Sequence, residues 1–311
     1  MVKKTYILAI ACIATTYCLS SCDKVDPTGV LIGHTSVDDR VKQSYYVSKK
    51  DRSDFERESK TDDYSFLVVA DSHTTTETRR LKALFEMTIK PDENNMFCAH
   101  LGDLAETQPE YYDNVKKLVD EFEAKDPNKF AFYPVVGNHD VTRNGWSLFT
   151  QIFQSSTYAV AVKRPGYIDY GEDGPVHKDD KQDLFLFFDT ANGTFGKRQL
   201  EEVLPAFMAI RQYFRHCFVF THGNFFRPRS NAYSANFPRE ELYFLLNEFS
   251  KNNITTVFCG HIHKPDDRVY GGVRYITLDA LSERNNPSKG QILKITCKGD
   301  GTVVYDNIYV K

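Results

Sequence analysis

Seven short apolar runs, rich in Val, Ile and Phe, alternate along the chain with amphipathic stretches. The runs are Tyr64–Ala70, Met96–Leu101, Phe130–Val136, Asp183–Phe188, Cys217–Thr221, Ile254–Cys259 and Val273–Leu278. Continuous apolar runs of this length are expected of strands buried on both faces, the pattern of parallel sheets. Between several of them lie Thr75–Ile89, Glu110–Ala124, Lys197–Tyr213 and Pro238–Lys251, each with helical spacing of apolar residues. Pro238 followed by Arg-Glu-Glu suits a helix start, with acids near the positive end. Pro205 is expected to break or kink its stretch, because it has no N–H to donate. The tail, Gly290–Val310, reads as a hairpin turning at Lys298–Gly301. Strands alternating with helices indicate an α/β domain, here one unit from about residue 61 to the end. The 41% hydrophobic content is enough for such a core. Lys+Arg 39 against Asp+Glu 42, a net charge of −3, lacks the basic excess of nucleic-acid binders.

The chain ahead of this unit is of a different kind. Lys3 and Lys4 precede a short apolar stretch, Tyr6–Ala14, and then Leu19-Ser20-Ser21-Cys22. This is the layout of a cleaved signal, too short to span a membrane as a permanent anchor. The terminal Leu-Ser-Ser-Cys resembles the lipobox of bacterial lipoproteins; an ordinary secretory peptide that happens to carry Cys22 is the alternative. The lipobox implies that residues 1–21 are removed and that Cys22 is lipidated. The protein is then exported and held at the periplasmic or cell-surface side of a bacterial membrane, touching it only through the lipid. Residues 22–60 read as a tether and strap over the domain, with Val30–Ile32 and Tyr45–Val47 as contact points. Of the other cysteines, Cys98, Cys217, Cys259 and Cys297 can pair in three ways. Apolar surroundings at the first three favour free, buried thiols instead.

Five of the apolar runs end in a polar peptide that carries metal-type ligands: Asp71-Ser72-His73, Gly102-Asp103, Gly137-Asn138-His139-Asp140, His222-Gly223-Asn224 and Gly260-His261-Ile262-His263. In open α/β sheets, sites form beyond the carboxyl ends of strands, so the five peptides can converge. Glycines 102, 137, 223 and 260 let the backbone turn tightly there. His34, His177 and His216 lie outside the blocks and read as ordinary residues.

This ordered set of five blocks, from Asp71 to His263, resembles the calcineurin-like metallophosphoesterase superfamily. The resemblance implies an αββα sandwich, two packed mixed sheets flanked by helices. It further implies that Asp71, His73, Asp103 and His263 bind one metal, and that Asp103 bridges to a second held by Asn138, His222 and His261. His139 then sits beside the substrate as phosphate contact or proton donor, paired with an acid, here Glu106. The Asp-x-Gly and Gly-Asp-x-x-Tyr pattern of purple acid phosphatases is missing, since His73 and Glu106 stand there. The Arg-containing segment of Ser/Thr protein phosphatases is missing too. The implied activity is hydrolysis of a small phosphate mono- or diester by two divalent ions. Imidazole with carboxylate suits Mn, Zn, Fe or Ni, whereas Mg or Ca prefers an all-oxygen shell. The two aspartates make the metal-free pocket negative and repellent to phosphate, and two ions reverse that. A metal-binding scaffold, or a hydrolase of lipid-linked or pyrophosphate substrates, are the alternative readings. Arg143, Arg227 and Lys264 follow the blocks and are candidates for gripping substrate charge, with Trp146 and Phe225 among aromatics that can stack. Gly145–Gly171 and Phe225–Phe237 read as lids.

Overall fold

The computed structural model describes residues 35–48, 55–168, 181–226 and 237–311. The signal segment, Cys22, His34, Val30–Ile32, His177 and Arg227 therefore lie outside the described residues, as do the side chains of Tyr45–Val47.

Two mixed sheets pack face to face. One has five strands in the order β12-β11-β2-β3-β4, where β2 is Tyr64–Val69, β3 Asn95–His100, β4 Phe132–Pro134, β11 Gly290–Cys297 and β12 Val303–Val310. The other has seven, β1-β5-β6-β7-β8-β10-β9: β1 Glu56–Glu58, β5 Tyr158–Lys163, β6 Gln182–Phe187, β7 Cys217–Phe220, β8 Thr256–Cys259, β9 Asp266–Tyr270 and β10 Val273–Thr277. The central strands β2, β3, β6, β7 and β8 are buried at every residue, as their unbroken apolar runs require. Parallel pairing (β2–β3–β4 in one sheet, β6–β7–β8–β10 in the other) sets their carboxyl ends at one pole of the sandwich.

The inner layer between the sheets is aromatic. Phe66 from one sheet meets Phe185 and Phe218 from the other edge-on, at 5.1 and 5.2 Å. Phe187 and Phe220 stack at 4.4 Å. Helices cover both outer faces. On the five-stranded sheet, α2 (Arg79–Thr88), α3 (Pro109–Lys125) and the short α5 (Gly145–Phe149) bury Leu84, Phe85, Val115, Phe122 and Phe149. On the seven-stranded sheet lie α1 (Val37–Ser48), the helical stretch α6 (Gly196–Arg198) to α7 (Leu204–Arg211), and α8 (Arg239–Lys251). This αββα sandwich is the expected class.

Several local expectations are corrected. The helix expected from Thr75 starts only at Arg79, because Thr74 is bridged to Ala105 within the site loops. Pro205 lies where the regular helix is interrupted, as expected, but the helix continues through it. The proline sits in the first turn of α7, directly after a π-helical turn, Gln199–Val203, which widens the chain where the proline cannot donate. Gly145–Gly171 is not simply a lid, since its described part contains α5 and β5. Of Phe225–Phe237, residues 227–236 lie outside the described residues. Helix α1 contributes Val37 and Val41 to the core, and its Arg40 is fully buried. All four described cysteines are free and buried, and burial pushes the thiols of Cys98, Cys217 and Cys259 up to about 12.

Candidate metal centre and its surroundings

All five ligand-bearing peptides meet at the seam between the two sheets. Asp71 and His73 follow β2, Asp103 and Glu106 follow β3, and Asn138 and His139 open the short helix α4 (Asn138–Val141) after β4. From the second sheet come His222 after β7 and His261 and His263 after β8. The loops are laced to each other through the backbone. Asp71 N–H donates to Gly102 O (3.1 Å), His73 N–H to Asp103 O (2.9 Å), and Gly260 N–H to His222 O (3.1 Å).

The special backbone falls mostly on the candidate ligands, not on the glycines. Asp71, His73, Asp103, His261 and His263 all have φ between 41° and 73°. Such left-handed conformations are costly for non-glycine residues and persist only where surrounding structure enforces them, commonly at functional sites. Of the four glycines, only Gly102 has positive φ, 86°. Gly137 is needed for close approach, because a Cβ there would lie 2.2 Å from Asp103 Oδ1.

Side chains form two facing groups joined by Asp103. In the first, His73 Nε2 is 3.2 Å from His263 Nε2, and His263 Nε2 is 3.3 Å from Asp71 Oδ1. In the second, His222 Nε2 is 2.9 Å from Asn138 Oδ1 and 3.1 Å from His261 Nδ1. Asp103 Oδ2 lies 3.8 Å from His73 Nε2 and 3.5 Å from His222 Nε2, so one carboxylate reaches both groups. Asp71, His73 and His263 have ligand atoms within 4.8 Å of one another, as do Asp103, His222 and His261. His139 completes a third such group with His73 and Asp103, and its ring packs edge-on to His73 at 4.7 Å.

The donor chemistry fits cations. His222 Nδ1–H donates to Leu101 O at 2.8 Å, which leaves Nε2 as the ring atom turned toward the site. Nε2 faces the acceptor oxygen of Asn138 and a carboxylate oxygen of Asp103; burial pushes the imidazole down, but Asp103 and Asp71 prevail and raise it, so positive charge is favoured at this point. A metal ion bound there would supply that charge in place of the imidazole's proton. Burial pushes the Asp103 carboxyl up, but His222, His73 and His139 around it prevail and hold it well below the ordinary range. Asp71 is likewise held low against its burial, chiefly by the hydrogen bond with His263.

Two residues without an assigned role in the sequence organise this pole. Asp140, fully buried, accepts from Leu104 N–H (3.0 Å), Gly137 N–H (2.8 Å) and Tyr112 O–H (2.7 Å), clipping the loops after β3 and β4 together. Burial and the nearby Asp103 charge raise its carboxyl to about 6. His100, pushed down to about 3 by burial and so neutral, lies 2.8 Å from Ser72 Oγ, which donates to Leu104 O. Asp140 closes the Gly-Asn-His-Asp block, so its place in the sequence already pointed to this pole.

Around the rim, Glu106 Oε2 lies 3.2 Å from His139 Nδ1 and Glu106 Oε1 3.4 Å from His73 Nδ1. Arg143 and Lys264 are exposed. Trp146 and Phe225 are core residues and not rim aromatics. Trp146 is buried against Phe149 with its N–H on Gln43 Oε1 (3.0 Å), and Phe225 packs on Phe237, Phe249 and Tyr275. His216 sits at the opposite pole, 2.9 Å from Asp183 Oδ1, in a network with Tyr64 and Arg164.

Comparisons agree with this geometry. A family model described as calcineurin-like phosphoesterase matches residues 64–265. No curated protein matches the chain by sequence. Among solved structures, the chain is similar to a dimetal phosphatase from Danio rerio (12% identity, 80% of this chain and 98% of that one, TM-score 0.52). It is also similar to GAP50, described as the anchor in the inner membrane complex of Plasmodium (15%, 79% and 84%, 0.54). A third is purple acid phosphatase PPD1 from yellow lupin (13%, 81% and 54%, 0.51). At these identities the likeness is one of fold. With the family model spanning most of the chain and its ligand blocks gathered at one pole, the protein belongs to the calcineurin-like phosphoesterase family.

Proposed function

We propose that this protein hydrolyses a small phosphate mono- or diester with two divalent metal ions, one held by Asp71, His73, Asp103 and His263, the other by Asp103, Asn138, His222 and His261. The observation that carries the reading is the convergence of His222 Nε2, Asn138 Oδ1 and Asp103 Oδ2 on one point, with His222 Nε2 2.9 Å from the amide oxygen and 3.5 Å from the carboxylate. Two bound ions would supply charge for the phosphoryl oxygens and lower the pKa of a bound water to about 7. The chain's own residues do the rest. Asp103 Oδ1 accepts the His139 backbone N–H at 2.8 Å, which ties the position of that ring to the shared carboxylate. Glu106 takes the Nδ1 side of His139, leaving Nε2 as the ring atom to hold a proton for the leaving oxygen. Mn, Zn, Fe or Ni suits these donors.

The fold is also used by an anchor protein, so a binding role for this chain turns on the ligand set and not on the architecture. None of the seven ligand positions is replaced here, which favours the enzyme. The deciding assay strips the purified protein of metal, restores Mn or Zn, and measures p-nitrophenyl phosphate beside its bis-ester. Metal-dependent turnover is expected, and the preferred ester identifies mono- or diesterase. A protein that takes up no metal would sink the reading.

His139→Ala is expected to lower turnover by roughly 10²–10⁴, the usual size of acid–base assistance, while metal content stays unchanged. Loss of metal in that variant would place His139 among the ligands instead.

We also propose export and lipidation at Cys22, supported by the lysines, short apolar stretch and Leu-Ser-Ser-Cys of residues 1–22. Cys22→Ser is expected to move the protein from the membrane fraction to the soluble one in a bacterial host. Unchanged membrane attachment would refute the anchor.

A further inference from the structure

The connection from β10 to β11 reaches the metal centre although it carries none of the five ligand blocks. Leu281 N–H donates to Ala70 O (2.8 Å) and Ser282 N–H to Asp71 O (3.1 Å), so this loop is pinned to the backbone of a metal-ligand candidate. Asn286 N–H returns to Ser282 O (2.9 Å), closing a turn over residues 283–285. From below, the buried Arg80 of α2 donates to Leu281 O (3.0 Å), Asn286 O (2.8 Å) and Pro287 O (3.3 Å). Arg79 pairs with Glu283 at 2.9 Å.

At the apex of this fixed turn stands Arg284, its side chain 80% exposed and its Nη1 3.8 Å from Glu106 Oε1. The other oxygen of Glu106 is the one beside His139. An ion pair so exposed adds little to stability, so it does not explain why the turn is held from two sides. Among the described residues, Arg284 is the only lysine or arginine within ion-pair distance of a carboxylate of the site. A guanidinium presents a planar fork suited to a carboxylate or phosphate group.

We propose that Arg284 binds a second anionic group of the substrate, carried by the leaving group on the side faced by His139; this rests on the phosphoesterase reading. The substrate class is then a phosphate ester whose alcohol portion bears its own negative charge, and the β10–β11 turn is the wall that selects it.

The test uses the full-length, metal-loaded protein with phenyl phosphate and 4-carboxyphenyl phosphate, comparing the ratio of their kcat/KM values between variants, which cancels the intrinsic reactivity of the two esters. Wild type is expected to favour the carboxylated ester. Arg284→Ala is expected to reduce the ratio about tenfold, through KM of that ester, as for one lost charge-assisted contact at a wet rim. Arg284→Lys is expected to restore part of it. The same ratio in wild type and Arg284→Ala overturns the assignment. Turnover of neither ester, nor of bis(p-nitrophenyl) phosphate, by metal-loaded wild type overturns the phosphoesterase reading and this inference with it; turnover of the bis-ester alone overturns this inference only.

Discussion

Asp103→Asn is expected to abolish turnover and to weaken both metal positions together. Each ligand group draws on both sheets, and Asp103 Oδ2 is the atom that approaches both groups, at 3.8 Å from His73 and 3.5 Å from His222. Asparagine keeps the shape and can still accept the His139 N–H through Oδ1, so the loop is retained. What it removes is the negative charge that two bound cations would share, together with one of two acceptor oxygens. Partners outside the ligand shell already contribute 10–100-fold in metal affinity, and a shared ligand is expected to exceed roughly 100-fold. Metal content by elemental analysis, titration of each ion, and phosphatase assay check this beside a thermal melt. Normal turnover with both ions at full occupancy would show that Asp103 is not a bridge.

Arg40→Met is the substitution expected to damage the fold most. Arg40 and Asp189 are both fully buried, with Nε 2.7 Å from Oδ2 and Nη2 2.8 Å from Oδ1. Arg40 also donates to Asn192 Oδ1 (2.6 Å) and to Thr35 O, and lies over the Trp146 ring at 5.8 Å. Methionine fills similar volume but strands the Asp189 carboxylate. Breaking one partner of a buried pair costs about 3–5 kcal/mol, which for a domain of this size lowers Tm by roughly 10 °C. The double variant Arg40→Met/Asp189→Asn is expected to recover much of the loss, because the stranded charge is gone. A drop below about 1 kcal/mol in the single variant would contradict the argument. A second effect is expected at the metal centre. Next to Asp189, Thr190 Oγ1 accepts the backbone N–H of His222 (3.0 Å) and of Gly223 (2.8 Å). Loosening the Asp189–Asn192 turn should therefore weaken metal binding through His222, even at temperatures where the variant is folded.

This coupling was invisible in the sequence, where residues 22–60 read only as tether and strap. Arg40 and Asp189 are 149 residues apart, and neither sits in an apolar run that would mark it as buried. The same limit applies to β5. Tyr158–Lys163 alternates buried and half-buried residues, with Ala159 and Ala161 on one face, so its apolar signal is diluted and the stretch resembled a loop. Trp146 and Phe225 looked like rim aromatics because they follow ligand blocks by a few residues, a spacing that says nothing about which way a loop folds. Arg284 does not stand out in the sequence for a related reason: its loop follows β10 and carries none of the five ligand blocks. Tertiary pairing alone brings Ala280 beside Ala70.

Periodicity and local chemistry by themselves determined that strands alternate with helices, that the central strands are buried on both faces, and that histidines and carboxylates collect where those strands stop. Each is a property of contiguous residues: an unbroken apolar run must be covered on both sides, and a polar block after it must sit at a strand end. Only the tertiary structure decided that the tail hairpin pairs with β2 through Leu293–Cys297, that α1 is locked into the second core, and that five ligand residues adopt left-handed backbone. Those outcomes depend on contacts between segments distant in the chain, whose loop-closure cost and packing gain leave no mark on neighbouring residues.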